Sequence, residues 1–377
     1  MRYVIIGAGV AGVSALKEIV KERKTEDTIT LITEESYPFY YRPRLIECLS
    51  GEVDVEDIII NDEEWFEKND IDFKMSEKAK DIDVKNKELI TDKSTYIYDK
   101  LLLANGAHSF VPPIKGHEKE NVFTLRNASD AKEIYNRCKN LKNVVVVGGG
   151  LLGLESAYNF NKAGLNVVVL ERSSSLLSRQ LDKKAGQLLQ KILEEKGLNF
   201  YLEAETKEFL GNDKVEAVLP GEGKEIKADL VLLSTGVRSN LDLISETSIK
   251  VERAIAVNNK LETNIEGIYA AGDVSELDGR FYGIWPPAME QGKTAGRNMT
   301  GKNEEFKGFV PSHKLKVAGI QVVSKGELDF EGNYKHQLKE SDSAYRNITL
   351  NEDDELIGAI IVGEFPDNEE ILAKIKN

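Results

Sequence analysis

The sequence predicts an α/β protein in which a strand–glycine–helix–strand unit occurs twice, followed by a smaller α+β segment. A run of β-forming residues leads into the glycine-rich segment 7–12, and an all-valine run leads into the segment 148–153 with identical glycine spacing. From residue 310 the pattern changes to short strands and a terminal helix, predicted at residues 315–323, 345–350 and 356–362 and at 368–375. The predicted architecture is therefore two Rossmann-like dinucleotide-binding domains plus a small C-terminal α+β domain.

The first glycine-rich segment has the spacing of a phosphate-binding turn. Gly7 permits the tight turn out of the strand, Gly9 lets the backbone approach a pyrophosphate, and Gly12 lets the next helix pack closely on the sheet. Such turns also arise for packing alone, so the following strand decides between the two interpretations. It ends at Glu34, about 20 residues after the last glycine, where a carboxylate can bind ribose hydroxyls.

The second segment repeats every part of the first. Gly148, Gly150 and Gly153 have the same spacing, a helix is predicted at residues 154–163, and the next strand ends at Glu171. Two complete units are hard to obtain by chance. The sequence therefore predicts two dinucleotide sites.

Composition excludes several other classes of protein. The 377 residues suggest two or three domains, and a net charge of −14 disfavours a nucleic-acid partner. The longest apolar stretch, residues 144–154, is too short and too rich in glycine to span a membrane, and no signal peptide is evident, so we expect a cytoplasmic protein with no membrane partner. Cys48 and Cys138 lack metal-ligand spacing and cannot form a disulfide framework, which fits a reducing compartment and predicts no metal site.

Residues 35–44 combine aromatic side chains, two prolines and two arginines, a composition typical of a loop. The segment is either a packed surface loop or a cover over a ligand. Arg42 and Arg44 beside three tyrosines favour the ligand, because they suit phosphates and flat rings. Further on, the apolar strand 267–271 ends in Gly272-Asp273, whose carboxylate either binds a polyol or caps a turn.

The order of these segments, together with Ala104-Asn105-Gly106 and Thr235-Gly236, resembles the pyridine nucleotide-disulfide oxidoreductase flavoproteins along essentially the whole chain. The resemblance implies an FAD-binding domain at residues 1–112 and 237–304, an NAD(P)H-binding domain at 113–236 and an interface domain at 305–377. The FAD contacts that it implies are Gly7, Gly9, Val10, Ala11, Gly12, Thr33, Glu34, Arg42, Ala79, Ala104, Gly106, Gly272 and Asp273. The NAD contacts that it implies are Gly148, Gly150, Leu152, Gly153, Glu155, Glu171 and Gly236, with Glu155 beside the nicotinamide.

Within this superfamily, residues 41–51 are similar to NADH:rubredoxin oxidoreductases and to the flavoprotein part of assimilatory nitrite reductases. Asn105 replaces the threonine of the family's Ala-Thr-Gly triplet, and Glu47 stands where related reductases often place a lysine near the flavin. No redox pair of cysteines follows the first domain's acid. Cys48 lies several residues after the position of the single cysteine in peroxide-reducing members, so we interpret it as a small buried residue.

The resemblance implies an enzyme that transfers hydride from NADH to FAD and then passes electrons to a small one-electron carrier, rubredoxin. The carrier is expected to be a separate protein, since the chain has no cysteine set for an iron–sulfur centre. The alternatives are an NADH oxidase, an electron donor for nitrite reduction, and a flavin-binding redox sensor or scaffold. The basic docking residues predicted from composition are Arg42, Arg44, Lys314 and Lys316, while the oligomeric state stays open.

Overall fold

The computed structural model describes residues 1–221, 223–310 and 312–375. In this part of the chain two parallel five-stranded sheets and one antiparallel five-stranded sheet dominate the fold. The α/β class with two Rossmann-like units and a C-terminal α+β unit, predicted from the sequence, is confirmed.

The first parallel sheet combines N-terminal strands with one late strand. Arg2–Ile6 lies at its centre, and its last four residues are buried, as a strand covered on both faces requires. Ile6 pairs with Ile32 on one side and with Leu103 on the other, so three strands end at one edge, where the Gly7 turn begins. Across the sheet the strands are Ile268–Ala270, Lys100–Leu103, Arg2–Ile6, Thr28–Ile32 and Asp72–Lys74.

The second parallel sheet has the same arrangement. Its central strand, Asn143–Val147, consists of valines after the first residue and is buried from Val144 onward. Val147 pairs with Leu170 and with Leu233, so the second glycine turn also begins at a common strand edge. Across the sheet the strands are Val122–Thr124, Leu230–Leu233, Asn143–Val147, Asn166–Leu170 and Asn199–Tyr201.

The helices after the two glycine turns begin within the turns themselves. The helix predicted to start at residue 154 starts at Leu151, because Gly150 is its N-cap, just as Gly9 caps the first helix. The third glycine of each motif therefore lies inside the first helical turn. The α-helices are α1 (Val10–Glu22), α2 (Leu45–Cys48), α3 (Glu63–Lys68), α4 (Ala128–Cys138), α5 (Leu151–Lys162), α6 (Lys183–Glu195), α7 (Trp285–Met299) and α8 (Asn368–Lys374).

A two-stranded antiparallel ribbon, Ala107–Ser109 with Val237–Ser239, carries the chain between the two parallel sheets. The ribbon lies within a few residues of the predicted domain limits, which are 112–113 and 236–237. Those limits stay a proposal. Further small sheets have two or three strands. Phe39–Tyr40 pairs with Ile59–Asn61, and Ile255–Val257 pairs with Ser275–Leu277. Glu88–Thr91 lies between Ala79–Asp83 and Thr95–Ile97, and Ala217–Pro220 lies between Thr206–Leu210 and Ile226–Lys227. Short 3-10 helices are Arg42–Arg44, Val55–Ile58 and Asp242–Ile244.

Helix α7 packs against α1 at backbone distance. A Cβ on Gly292 would lie 2.2 Å from the carbonyl oxygen of Ala11, and a Cβ on Gly296 would lie 2.4 Å from that of Ala15. Gln291, at the same interface, accepts a hydrogen bond of 2.8 Å from the backbone N–H of Gly272. This packing fixes the Gly272-Asp273 turn relative to the first glycine loop.

The C-terminal unit is an antiparallel sheet with α8, and it shares a hydrophobic core with α5 and α6. The residues predicted as one strand, 315–323, form a hairpin instead. Ala318 and Gly319 have φ values of +54° and +81°, the conformation of a two-residue hairpin turn. Sequence analysis also missed the strand Lys335–Glu340, whose polar sequence leaves it mostly exposed at the sheet edge. Across the sheet the strands are Ser312–Val317, Ile320–Gly326, Leu356–Val362, Tyr345–Leu350 and Lys335–Glu340.

Candidate active site

The first glycine loop leaves open space in front of one glycine and none at the other two. Gly7 has φ of +103°, and a Cβ there would lie 2.2 Å from the carbonyl oxygen of Ala104. A Cβ on Gly12 would lie 1.9 Å from the carbonyl oxygen of Gly7, so Gly12 serves helix packing. Nothing lies within 4 Å of a Cβ on Gly9, the residue that caps α1. Open space at the positive end of a helix suits an anionic phosphate.

The second glycine loop reproduces this geometry. Gly148 has φ of +116°, and its Cβ would lie 2.2 Å from the carbonyl oxygen of Ser234. The Cβ of Gly153 would lie 2.0 Å from the carbonyl oxygen of Gly148, whereas nothing lies within 4 Å of a Cβ on Gly150. The duplicated sequence pattern therefore corresponds to a duplicated three-dimensional device.

A cleft of about 990 Å³ opens at the first glycine loop and extends toward the N-terminus of α7. Its volume is at the upper end of the range for ligand pockets, about 300–1,000 Å³. It brings together all but one of the residues predicted to contact FAD: Gly7, Gly9, Val10, Ala11, Thr33, Glu34, Arg42, Ala79, Ala104, Gly106, Gly272 and Asp273. Gly12 is the exception, because it lies beneath the loop. Leu152, predicted as an NAD contact, also lines this cleft.

Two arginines and two carboxylates form a linked set of charges along the cleft. Arg42 donates to the Glu35 carboxylate at 2.6 Å and to the backbone carbonyl oxygen of Arg126. Arg126 in turn donates to the Asp273 carboxylate at 2.7 Å. Glu34 is exposed at the cleft and lies 3.4 Å from Lys78. The cleft thus offers cations for phosphates and carboxylates for hydroxyl groups.

The residues present in the cleft fit FAD. Gly9 provides a cradle that a side chain would fill, α1 directs its N-terminus there, and Arg42 supplies a positive charge. A buried acceptor, the side-chain oxygen of Asn105, has no partner among the described residues and could accept a hydrogen bond from a ligand hydroxyl.

Sequence analysis missed Arg126 and Trp285 as cleft residues. Arg126 directly precedes Asn127, the N-cap of α4. The side chains of Asn127 and Asp130 each accept a hydrogen bond from the backbone N–H of the other residue. An arginine directly before such a capping sequence was the signal that the sequence offered. Trp285 begins α7, and its ring stacks on Phe39 at 5.9 Å. Its sequence gave no sign of this contact with a residue far away in the chain.

The predicted NAD residues, apart from Leu152, lie around the N-terminus of α5 instead of the large cleft. Each carboxylate oxygen of Glu171 accepts one backbone hydrogen bond of 2.6 Å, from Gly149 and from Ser173. Glu171 therefore shapes the second glycine loop as well as carrying a negative charge beside it. Gly236 has φ of +96° with open space around it, at the end of the neighbouring strand.

Glu155 lies one turn into α5, three residues after the cleft residue Leu152, and is half-buried. Burial raises the pKa of Glu155 to about 7, and the charge of Glu47 adds to the increase. Glu47 is itself paired with Arg44 at 2.7 Å. Glu155 therefore changes its charge near neutral pH, unlike an ordinary glutamate.

We expect Glu155→Gln to stabilise the protein at high pH only. Because the pKa of Glu155 is raised in the folded state, the protonated form is favoured, and the stability that this form contributes is lost as pH rises from about 4.5 to about 7. The variant should be more stable than the unaltered protein at pH 8, on the order of 1 kcal/mol after allowance for solvent contact. Thermal unfolding from pH 4 to pH 8 measures this. An equal difference at pH 4 and pH 8 would contradict it, and Lys162→Gln on the same helix is the control.

The two cysteines are buried, as predicted for Cys48. Burial raises the pKa of the Cys48 thiol to about 11 and that of Cys138 to about 12. Thiols with such pKa values hold little thiolate at neutral pH, so neither is suited to nucleophilic or redox chemistry.

Among the described residues, no helix is both long enough and apolar enough to cross a membrane. Across residues 1–221, 223–310 and 312–375, no group of three or more His, Cys, Asp or Glu side chains is arranged to hold a metal ion.

Two family models match the chain. The pyridine nucleotide-disulphide oxidoreductase model matches residues 1–292, and the model of the rubredoxin NAD+ reductase C-terminal domain matches residues 311–377. A solved structure, NADH:rubredoxin oxidoreductase from Clostridium acetobutylicum, is 32% identical and superposes with a TM-score of 0.85, covering 99% of this chain and 94% of that one.

Curated relatives have several activities. A nitrite reductase [NAD(P)H] from Bacillus subtilis is 38% identical over 100% of this chain and 47% of its own length. The NADH-rubredoxin oxidoreductase of Clostridium acetobutylicum is 36% identical over 87% of this chain and 82% of its own length. The chain thus spans about half the length of the nitrite reductase. With matches over most of its residues, the chain belongs to the pyridine nucleotide-disulphide oxidoreductase family, as a flavoprotein whose cofactors are FAD and NADH.

Proposed function

We propose that this chain oxidises NADH and delivers the electrons singly to a small carrier protein, with rubredoxin as the carrier. The observation that carries the proposal is the match of residues 311–377 to the rubredoxin NAD+ reductase C-terminal domain. A relative with rubredoxin in its name, matched over 87% of this chain, supports it.

We further propose that the large cleft binds FAD and that the second glycine loop binds NADH. When bound, FAD supplies a hydride acceptor that can release its electrons one at a time. The chain's own contribution is position: Gly9 and Gly150 admit the phosphates, and the N-termini of α1 and α5 stabilise their charge. The buried Cys48 and Cys138 do not offer a competing thiol route.

Two of the four basic residues predicted to contact the carrier are already paired with carboxylates in the structure. Arg42 is bonded inside the cleft, and Arg44 is paired with Glu47. Lys314 is exposed on the C-terminal sheet, whereas the side chain of Lys316 lies outside the described residues. Lys314 is therefore the basic side chain of this set that we propose for contact with an acidic carrier.

We predict that NADH-driven rubredoxin reduction is far faster than oxygen consumption, at least tenfold per flavin. Its KM for rubredoxin should rise with ionic strength, because salt screens charge attraction. Lys314→Glu should raise this KM at low salt and leave the KM for NADH unchanged. Stopped-flow and steady-state assays with rubredoxin, oxygen and a nitrite reductase partner measure the rates.

The same assays separate the alternatives. Oxygen turnover equal to or above rubredoxin turnover would identify an NADH oxidase, an activity named for a 34% identical relative from Methanocaldococcus jannaschii. Faster reduction of a nitrite reductase component would favour the role named for the Bacillus subtilis relative. Absence of turnover with any acceptor, with both cofactors bound, would point to a sensor or scaffold.

We predict a preference for NADH over NADPH, since the Glu171 carboxylate repels a 2′-phosphate and accepts hydrogen bonds from a 2′-hydroxyl. Glu171→Gln keeps an oxygen that can accept the Gly149 bond but removes the charge and the acceptor for Ser173, so it should narrow the ratio of kcat/KM for NADH to kcat/KM for NADPH about tenfold. Arg172→Ala is the opposite test: the neighbouring Arg172 is exposed and can bind that phosphate, so its removal should increase the preference for NADH. Equal kcat/KM for both cofactors in the unaltered protein would refute the role of Glu171.

A further inference from the structure

Asn105 and Asn240 are joined by a reciprocal pair of hydrogen bonds at the base of the crossover ribbon, the paired strands Ala107–Ser109 and Val237–Ser239. The Asn105 side-chain N–H donates to the backbone oxygen of Asn240 at 3.0 Å, and the Asn240 side-chain N–H donates to the backbone oxygen of Asn105 at 2.7 Å. The backbone N–H of Asn240 also donates to Gly106 at 2.9 Å. The two strands of the ribbon are thereby tied together where they enter the first domain.

This arrangement fixes the orientation of the Asn105 carboxamide. Rotating it by 180° would place its oxygen against the carbonyl oxygen of Asn240 and lose the bond, so the nitrogen must face Asn240. The oxygen, Oδ1, is consequently left buried and without a partner among the described residues. Asn105 lines the large cleft, and a buried acceptor without a partner is costly unless a ligand supplies a donor.

The surroundings indicate which part of a ligand that donor belongs to. A Cβ on the adjacent Gly106 would lie 3.6 Å from Arg126, which is bonded to the Asp273 carboxylate. Ser239, next to Asn240, donates to the backbone oxygen of Asp273 at 2.7 Å. Asn105 and Asp273 are thus two acceptors connected through one small network. A pyrophosphate has no donor for such a site, whereas a polyol chain has several hydroxyl groups.

We infer that Asn105 Oδ1 accepts a hydrogen bond from a hydroxyl of the ribityl chain of FAD, and that this bond links FAD binding to the order of the crossover ribbon. The inference rests on the proposed assignment of the cleft to FAD. The link arises because the same carboxamide binds ligand through its oxygen and Asn240 through its nitrogen. A threonine at this position, as in the Ala-Thr-Gly triplet, has one hydroxyl in place of the separate donor and acceptor atoms of the carboxamide.

The test measures FAD affinity of the apoprotein by calorimetry and by quenching of flavin fluorescence. Asn105→Ala should raise the Kd for FAD about threefold to tenfold, the usual range for one hydrogen bond. Asn121→Ala is the matched control. The side-chain N–H of Asn121 likewise donates to a backbone oxygen, that of Asp229 at 3.1 Å, and its Oδ1 is likewise buried without a partner among the described residues, but Asn121 does not line the cleft, so the Kd should change less than about twofold. In the unaltered protein, FAD should slow hydrogen exchange of the ribbon amides, and this protection should be smaller in Asn105→Ala.

FAD analogues that each lack one ribityl hydroxyl provide a second measurement, which needs no variant to fold. At least one analogue should bind the unaltered protein at least threefold more weakly than FAD, and the same analogue should show no loss with Asn105→Ala. Asp273→Ala distinguishes an error in the role of Asn105 from an error in the assignment of the cleft to FAD. If it weakens FAD binding and Asn105→Ala does not, the role of Asn105 is wrong. If neither variant changes the Kd, the assignment of the cleft to FAD is wrong as well.

Discussion

Replacing Gly150 with alanine is expected to raise the KM for NADH roughly fivefold or more while leaving the fold and the FAD content unchanged. No protein atom lies within 4 Å of the methyl group that alanine would add at this position. The backbone of Gly150 is extended with φ of −81°, which alanine adopts without strain. The methyl group would instead occupy the space through which a pyrophosphate approaches the loop. An overpacked contact of this kind costs about 1–3 kcal/mol, or roughly five- to 150-fold in affinity.

The first glycine loop supplies the matched control. Gly9→Ala has the same open surroundings, so it too should leave the fold unchanged, but it should weaken FAD instead of NADH. Steady-state kinetics, FAD content and circular dichroism of the two variants together measure this. If Gly150→Ala weakened FAD and Gly9→Ala weakened NADH, the assignment of the two sites would be reversed. If neither affected a cofactor, the proposed phosphate positions would be wrong.

A second large effect is expected for Gly292→Ala, which should destabilise the protein and weaken FAD binding together. The new Cβ would lie 2.2 Å from the carbonyl oxygen of Ala11. Both helices share one hydrophobic core with the first parallel sheet, so neither backbone can move without disturbing that core. The expected loss is about 1–3 kcal/mol in unfolding free energy, enough to lower the unfolding temperature by several degrees. FAD affinity should also fall, because the adjacent Gln291 holds the Gly272 backbone at the cleft.

Lys293→Ala, one residue further along α7, is the matched control. It also places an alanine in this helix, but it adds no atom that would clash with α1. Lys293 is paired with Glu290 at the surface, and a surface pair of this kind contributes about 0–1 kcal/mol. Thermal unfolding of the apoprotein and of the FAD complex compares the two variants. A Gly292→Ala protein as stable as Lys293→Ala would show that α1 and α7 can separate without penalty, contrary to their close contact.

Local patterns were sufficient to predict both Rossmann-like units. The strand before each glycine turn and the acid after the next strand are set by neighbours within about 30 residues, where periodicity and glycine spacing act directly. The boundaries were less accurate. The hairpin at Ala318-Gly319 was predicted as one strand, because apolar residues recur on both sides of a turn that has only two residues, at Leu315, Val317, Ile320 and Val322. The edge strand Lys335–Glu340 has a polar sequence that indicates no buried face.

The sequence alone determined that the chain has two Rossmann-like units, and its family resemblance indicated FAD and NADH. Only the tertiary structure revealed the contacts that complete the cleft. Arg126 reaches Asp273 across 147 positions of sequence, and Asn105 meets Asn240 across 135. The contact of Gly292 with Ala11 depends likewise on how two distant helices pack. Such contacts follow from the path of the chain through both sheets, and no local pattern of residue types encodes which distant side chain arrives at a given position.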